Sequence, residues 1–399
     1  MQFKETIGQE AVKTQLVEMV QHNRLSHALL FLGREGNGSL ALAMAFAQFL
    51  VCEKINQKSD PGPSLFGDAA SDEPKALRND SCGVCPSCQK AAQLIHPDIH
   101  FSYPTVTKKP GEVPIATDFI SEWREFAKLN PFGNMFDWIE LIKEKENSQG
   151  KITAKECNDI IRKLSLKSFE SGYKILIMWM PEMMGNEGNK LLKLIEEPPP
   201  DTLFILVSEN EALMLPTILS RCQLVRIPAL TTNEIEKALI ERNKTEPSMA
   251  RQVAGICDGN YRDALQMLQH ADEDWQSLLR EWLNAILKTG PVAQTKWVEE
   301  VSRLGREKQK QFLRYFNHLL EQALHYRVMG ENYPMADNER DFAARLNKLA
   351  AVEQQEAIVE ELDKASYYIE RNANAKMLFH ALTIKLYHII QDKIVFLAE

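Results

Sequence analysis

Three groups of residues have the types and spacings that do chemistry. Cys82-Gly83-Val84-Cys85-Pro86-Ser87-Cys88 reads C-x-x-C-x-x-C, and three thiolates so spaced reach one face of a tetrahedral Zn²⁺. The chain has seven cysteines, an odd number, and this cluster has metal spacing rather than disulfide spacing. A redox dithiol fits less well, because no thioredoxin-like pattern surrounds it. The second group is Gly33-Arg34-Glu35-Gly36-Asn37-Gly38-Ser39-Leu40. It keeps the glycine spacing of the phosphate loop G-x-x-x-x-G-K-[ST], in which the lysine reaches phosphate oxygens and the hydroxyl helps hold Mg²⁺. Here Ser39 stands at the lysine position and Leu40 at the hydroxyl position. Gly33, Gly36 and Gly38 can still form an anion-binding nest at a helix N-terminus, but neither the charge nor the metal ligand is supplied. The third group is Ser220-Arg221-Cys222, which ends the stretch from Leu215. A planar, permanently charged guanidinium suits phosphoryl charge, although an isolated arginine is more commonly a solvated surface charge.

The elements that must position these groups read as α/β layers over residues 1–228. Gln9 to Val20 has helical spacing. His27 to Leu32 is a short apolar run ending in glycines, as a buried strand before a phosphate loop would, and Ser39 to Val51 follows as a helix. Tyr173 to Trp179 and Thr202 to Val207 are two further buried strands. Between them, Asn186 to Glu197 reads as a helix stopped by Pro198-Pro199-Pro200. Lys54 to Asp80, rich in Pro, Gly, Ser and Asp, reads as a mobile loop. Residues 103–150 read as an insertion, ordered in part by Trp123, Phe126, Phe132, Phe136 and Trp138 packing on the domain. After Pro228, Thr231-Thr232-Asn233-Glu234 has the form of a capping box. From there the chain reads as helix, with breaks at Gly290-Pro291 and around Gly330 to Pro334 and no internal repeat.

Two longer motifs add to the glycine loop and its Ser26-His27-Ala28-Leu29-Leu30-Phe31-Leu32 lead-in. They are Asn189-Lys190-Leu191-Leu192-Lys193-Leu194-Ile195-Glu196-Glu197-Pro198-Pro199 and Pro216-Thr217-Ile218-Leu219-Ser220-Arg221-Cys222. In these the chain resembles the delta-prime family of bacterial DNA polymerase III clamp-loader subunits, within the AAA+ superfamily. The resemblance covers residues 1–100 and 151–270 well and the remainder loosely. It implies an α/β AAA+ domain (P-loop NTPase-like, with a parallel sheet) at 1–228, with a zinc module at 52–88 and the insertion at 103–150. A helical lid at 229–274 and an all-α collar at 275–399 would follow. Active AAA+ ATPases end the second strand with an Asp-Glu pair. Trp179 and Met180 hold the matching positions here, and Glu182, two residues later, reads as a surface or capping group.

Two defects in one site point to a subunit that does not hydrolyse ATP. What the resemblance implies instead is that Arg221, with Ser220 positioning the helix end, acts in trans on a neighbouring subunit's ATP. Arg262, in Gly259-Asn260-Tyr261-Arg262, stands where the family's lid senses phosphate; beside a disabled loop it reads as paired with an acid or solvated. The family places the fourth zinc ligand at Cys52, with His96 as the alternative, and four protein ligands make the zinc structural. The implied partners are gamma/tau ATPase subunits, a clamp-opening delta subunit and, through the assembly, the sliding clamp and primed DNA. The rival readings are an active gamma/tau-like ATPase and a zinc-bearing AAA+ scaffold of another assembly.

Composition narrows the rest. The 399 residues carry a net charge of −8, which argues against coating nucleic acid by bulk attraction, and no Lys/Arg stripe interleaves with aromatics. The longest strongly apolar run, Leu40 to Cys52, contains Gln48 and is too short to span a bilayer. The opening Met-Gln-Phe-Lys-Glu-Thr lacks a signal pattern, so a cytoplasmic protein without membrane contact is expected.

Overall fold

A computed structural model describes residues 1–56, 79–108, 111–143, 148–269, 275–330, 337–371 and 373–393. The expected loop over Lys54 to Asp80 and the break after Gly330 fall mostly outside these residues. Two compact units make up the chain. One is Met1–Ala250 with Asp258–Arg262, and the other is Arg251–Cys257 with Asp263–Glu399.

The first unit is built on a parallel sheet of β1 (Ala28–Gly33), β2 (Ile99–Ser102), β3 (Lys174–Trp179), β4 (Thr202–Ser208) and β5 (Gln223–Ile227). Their order is β2-β3-β4-β1-β5, with every pairing parallel. Three strands are apolar on both faces because both faces are covered. Leu29, Phe31, Ile175, Ile177, Leu203 and Ile205 join one core with the helix Ser39–Val51. Alternate residues Ala28, Leu30, Leu176, Met178, Phe204 and Leu206 join a second core with the helix Ala154–Leu164. This period of two is the pleat read from side-chain burial. The expected helix over Asn186 to Glu197 is instead a 3₁₀ run, Pro181–Leu191, followed by a short α-helix, Leu192–Glu196. Gly185 interrupts it with φ 50° and ψ −139°, a conformation that L side chains rarely adopt.

The insertion is ordered where it is described. An antiparallel bridge between Thr105 and Lys151 closes its base. Two helices, Ile120–Leu129 and Met135–Ile142, bury Trp123, Phe126 and Trp138 completely. Tyr103 stacks on Trp123 at 4.0 Å between ring centroids, and Trp138 Nε1 donates to the Pro104 carbonyl at 2.7 Å. Each such burial is worth on the order of 3 kcal/mol, enough to hold a segment rich in charge. Phe136, in contrast, is exposed.

The helix Thr232–Asn243 begins at the expected capping box, with Thr231 Oγ1 accepting from the Glu234 N–H. The second unit holds the helices Trp275–Asn284, Pro291–Val301, Arg306–Met329, Asp337–Leu349, Val352–Glu370 and Ala375–Gln391. Its core centres on Trp282 stacked on Trp297 at 4.5 Å, with Phe312, Phe316 and Phe379 around the pair. Among the described residues, no helix is long and apolar enough to cross a membrane.

Candidate functional site

The glycine loop leaves the C-terminal end of β1, inside the sheet between β4 and β5, where open parallel sheets form their ligand crevice. Gly36 and Gly38 have φ of 73° and 87°, so glycine is required there. The loop is occupied by protein groups. Asn37 Oδ1 accepts from the Ser39 N–H at 3.1 Å and from the Ser39 hydroxyl at 2.7 Å, while its Nδ2 donates to the Ile227 carbonyl at 3.0 Å. The helix N-terminus that would face phosphate therefore already has an acceptor.

Residues from the insertion and from the 260 region cover the loop. A Cβ on Gly38 would lie 2.7 Å from Phe132 Cε1, and one on Gly36 would lie 1.7 Å from Asn260 Oδ1. Phe132 meets Tyr261 edge-on at 4.9 Å, and the Tyr261 N–H donates to the Gly36 carbonyl at 3.1 Å. Asn134 Nδ2 donates to Glu35 Oε1 at 3.0 Å. Arg262 forks onto Asp137, with Nε and Nη2 at 2.5 and 2.7 Å from its two oxygens, and Nη1 lies 3.3 Å from Glu35. Of its two expected states, Arg262 adopts the acid-paired one. Gly33, Gly36, Asn37, Gly38 and Ser39 are all buried as a result.

The acidic-motif positions are apolar in space as in sequence. Trp179 is buried against Trp123 and Phe126, with ring centroids at 5.4 and 5.6 Å. Met180 is buried with a left-handed φ of 56°. That turn carries Glu182 inward. Of its two expected placements, surface or capping, the surface one fails: Glu182 is buried, and its Oε1 accepts from the Glu209 N–H at 3.1 Å, just ahead of the short helix Glu211–Leu213. Burial pushes its carboxyl above the usual range, against the pull of the Glu209 N–H.

Arg221 follows the short helix Pro216–Leu219 and retains 32% side-chain exposure. Its Nε and Nη2 each lie 3.2 Å from Glu196 Oε2. Nη1 donates to the Thr217 carbonyl at 2.8 Å, and Ser220 Oγ donates to the same carbonyl at 3.2 Å. The two named motifs thus meet through this arginine–glutamate pair and through Thr217 Oγ1 donating to Asn189 Oδ1 at 3.4 Å.

The sulfurs of Cys52, Cys82, Cys85 and Cys88 lie within 4.8 Å of one another. Cys52 ends the helix that follows the glycine loop, and Cys85 caps the helix Pro86–Ala92. Backbone N–H groups of Cys82, Cys85 and Cys88 point at the sulfurs of Cys52, Cys82 and Cys85, each at 3.4 Å. Burial pushes the Cys82 thiol up, but the N–H groups of Val84 and Cys85 and its thiol neighbours outweigh it and bring it to about 6. Burial drives Cys52 and Cys88 upward. Packed thiols pulled in both directions are a donor set that a soft divalent cation stabilises. His96 stands outside this set, with Nδ1 accepting from the Asp98 N–H at 3.2 Å.

Sequence reasoning missed Glu35, Asn134, Asp137 and Glu196. Asn134 and Asp137 carried a signal, the N-x-x-D spacing of a capping box, which the structure forms. Glu35 and Glu196 lie inside motifs already quoted, but nothing in their spacing singled them out.

A parallel α/β sheet whose inner strand β1 feeds a glycine loop, with a four-cysteine knuckle beside it, defines the class. The family described as "DNA polymerase III, delta subunit" matches residues 8–65 and 64–231, and the chain belongs to that family. DNA polymerase III subunit delta' of Bacillus subtilis (strain 168) is 28% identical over 259 residues, covering 65% of this chain and 59% of that protein. Subunit delta' of Pseudomonas aeruginosa (strain PAO1) is 27% identical over 215 residues, covering 54% and 46%. Subunit tau of Bacillus subtilis is 25% identical over 326 residues, covering 80% and 46%. The chain thus spans between 46% and 59% of the length of these relatives.

Proposed function

We propose that this chain is a delta-prime-like subunit of a bacterial clamp loader that does not hydrolyse ATP and supplies Arg221 to a neighbouring subunit's ATP. The observation that carries this reading is a contrast within the first unit. The glycines of the chain's own loop are buried under protein groups, whereas Arg221 stays partly exposed beside Glu196. A guanidinium meets the charge that spreads over the γ-phosphoryl oxygens during transfer, and its fork gives it direction. Ser220 shares the Thr217 carbonyl with Arg221 and fixes the helix end from which the arginine projects. The α/β unit is of the AAA+ type. Residues 229–274 act as its lid and 275–399 as a collar that joins gamma/tau and delta subunits. The assembly loads the sliding clamp onto primed DNA, and the net charge of −8 leaves DNA attraction to other subunits.

Cys52, Cys82, Cys85 and Cys88 hold a structural Zn²⁺ in this reading. Four protein thiolates leave no open position for catalysis, and metal binding is coupled to local folding. One zinc per chain is expected by metal analysis, and Cys82→Ser should abolish it.

The test is the ATP turnover of a loader assembled with gamma/tau and delta subunits. Arg221→Ala should leave assembly intact and depress turnover at least roughly tenfold, a threshold well below the roughly 10³–10⁵ that arginine fingers supply in GTPases. Unchanged turnover would refute the finger. Turnover by the isolated chain would favour an active ATPase, and failure to co-purify with clamp-loader subunits would favour a scaffold of another assembly.

A further inference from the structure

We propose that the insertion segment Phe132–Asp137 is an intramolecular occupant of the glycine loop, filling the place of a nucleotide and anchoring Arg262 with a carboxylate instead of a phosphate. One contact matches a phosphate in chemistry, and the others occupy space over the loop. Asp137 presents two oxygens to the Arg262 fork at 2.5 and 2.7 Å, the bidentate geometry that a phosphate would offer. Phe132 lies on Gly38, so close that even a methyl group there would meet its ring at 2.7 Å. Asn134 ties the segment to Glu35, and Glu35 in turn reaches Arg262. Side-chain contacts thereby link the loop, the insertion and Arg262.

The segment is held ready for this role. Asn134 Oδ1 accepts from the Asp137 N–H at 3.0 Å, and Asp137 Oδ2 accepts from the Asn134 N–H at 3.2 Å. This reciprocal cap fixes both side chains at the start of the helix Met135–Ile142. One turn further on, Trp138 anchors that helix in the buried aromatic cluster with Trp123 and Phe126. A preorganised internal ligand loses little entropy on docking, whereas a nucleotide would have to displace it and then bind without a lysine. Loss of the lysine and closure by the insertion are therefore separate obstacles to nucleotide. The inference stands on contacts within the first unit and is independent of the role of Arg221.

Hydrogen exchange of the full chain tests it. Amides of residues 34–39 in the wild-type chain should be protected and unaffected by MgATP. In Phe132→Ala/Asn134→Ala they should exchange at least about tenfold faster, while the amides of β3 and β4 keep their protection and show that the sheet is intact. Asp137→Asn preserves shape while weakening the fork, and should give the same change in smaller measure should the double variant fail to fold. Unchanged exchange at 34–39 in either folded variant would overturn the proposal. So would slower exchange of the wild-type loop on adding MgATP, since that would show the loop open to nucleotide.

Discussion

Arg262 and Arg221 carry the same guanidinium, yet one has 5% of its side chain exposed and the other 32%. Arg262 is held by Asp137 on two nitrogens and by Glu35 on a third. Arg221 shares one glutamate oxygen between two nitrogens and spends the third on a backbone carbonyl. A buried charge with fixed partners is committed to its own chain, because removing a partner strands the other charge out of water. A partly exposed pair is worth no more than about 1 kcal/mol, so a phosphate on another molecule can replace it at little cost. On the proposed reading, the difference separates an arginine that holds structure from one that is available to a neighbour.

The sharpest way to break this comparison is the same substitution at both positions. Arg262→Lys keeps the charge but loses the fork onto Asp137, and should cost about 2 kcal/mol of stability, the order of one lost hydrogen bond to a charged group, read as a shift in urea midpoint. Arg221→Lys should cost less than about 1 kcal/mol, yet lower the turnover of the assembled loader roughly tenfold because the fork is lost. Equal stability losses at the two positions would erase the distinction.

Acid sets the pH at which these comparisons hold. Burial holds His100 and His318 near about 4, against an ordinary value of 6.5. With folded values depressed, their stabilising effect is present above pH 6.5 and lost as pH falls towards 4. At about 1.4 kcal/mol per unit, the loss approaches roughly 3 kcal/mol per histidine. His318, buried in the second unit, should show it most clearly. The urea midpoint should fall between pH 7 and pH 4.5, and His318→Gln should flatten that slope.

The smallest effect expected is at the loop itself. Gly38→Ala places a methyl group against Phe132 at a φ of 87° and should cost about 1–2 kcal/mol. Gly172, with nothing within 4 Å of a Cβ, should tolerate alanine with a change below about 0.5 kcal/mol. A neutral Gly38→Ala would mean that Phe132 does not rest on the loop.

Much of the α/β core was legible in the sequence. Residues 28–32, 175–179 and 203–207 are apolar at every position, as strands buried on both faces must be. β2 and β5 escaped notice for physical reasons. β2 is four residues, Ile99–Ser102, too few for a period to show. β5 exposes Gln223, Leu224 and Arg226 at the sheet edge, so its sequence lacks a continuous apolar run. The burial of Glu182 was not legible because it follows a left-handed turn at Met180, which no side-chain pattern announces.

By itself the sequence determined the local chemistry: three cysteines at metal spacing, a loop with the glycine spacing of a phosphate loop but no lysine, an apolar end to β3, and the Ser220-Arg221-Cys222 group. These depend on residue type and near spacing, and spacing survives as geometry within one turn or loop. Only the tertiary structure decided which distant groups meet. It brought Cys52 to Cys82 across 30 residues, Glu196 to Arg221 across 25 and Asp137 to Arg262 across 125. Side-chain packing selects such contacts only after the chain has folded, so their energies leave no periodic trace in the order of residues.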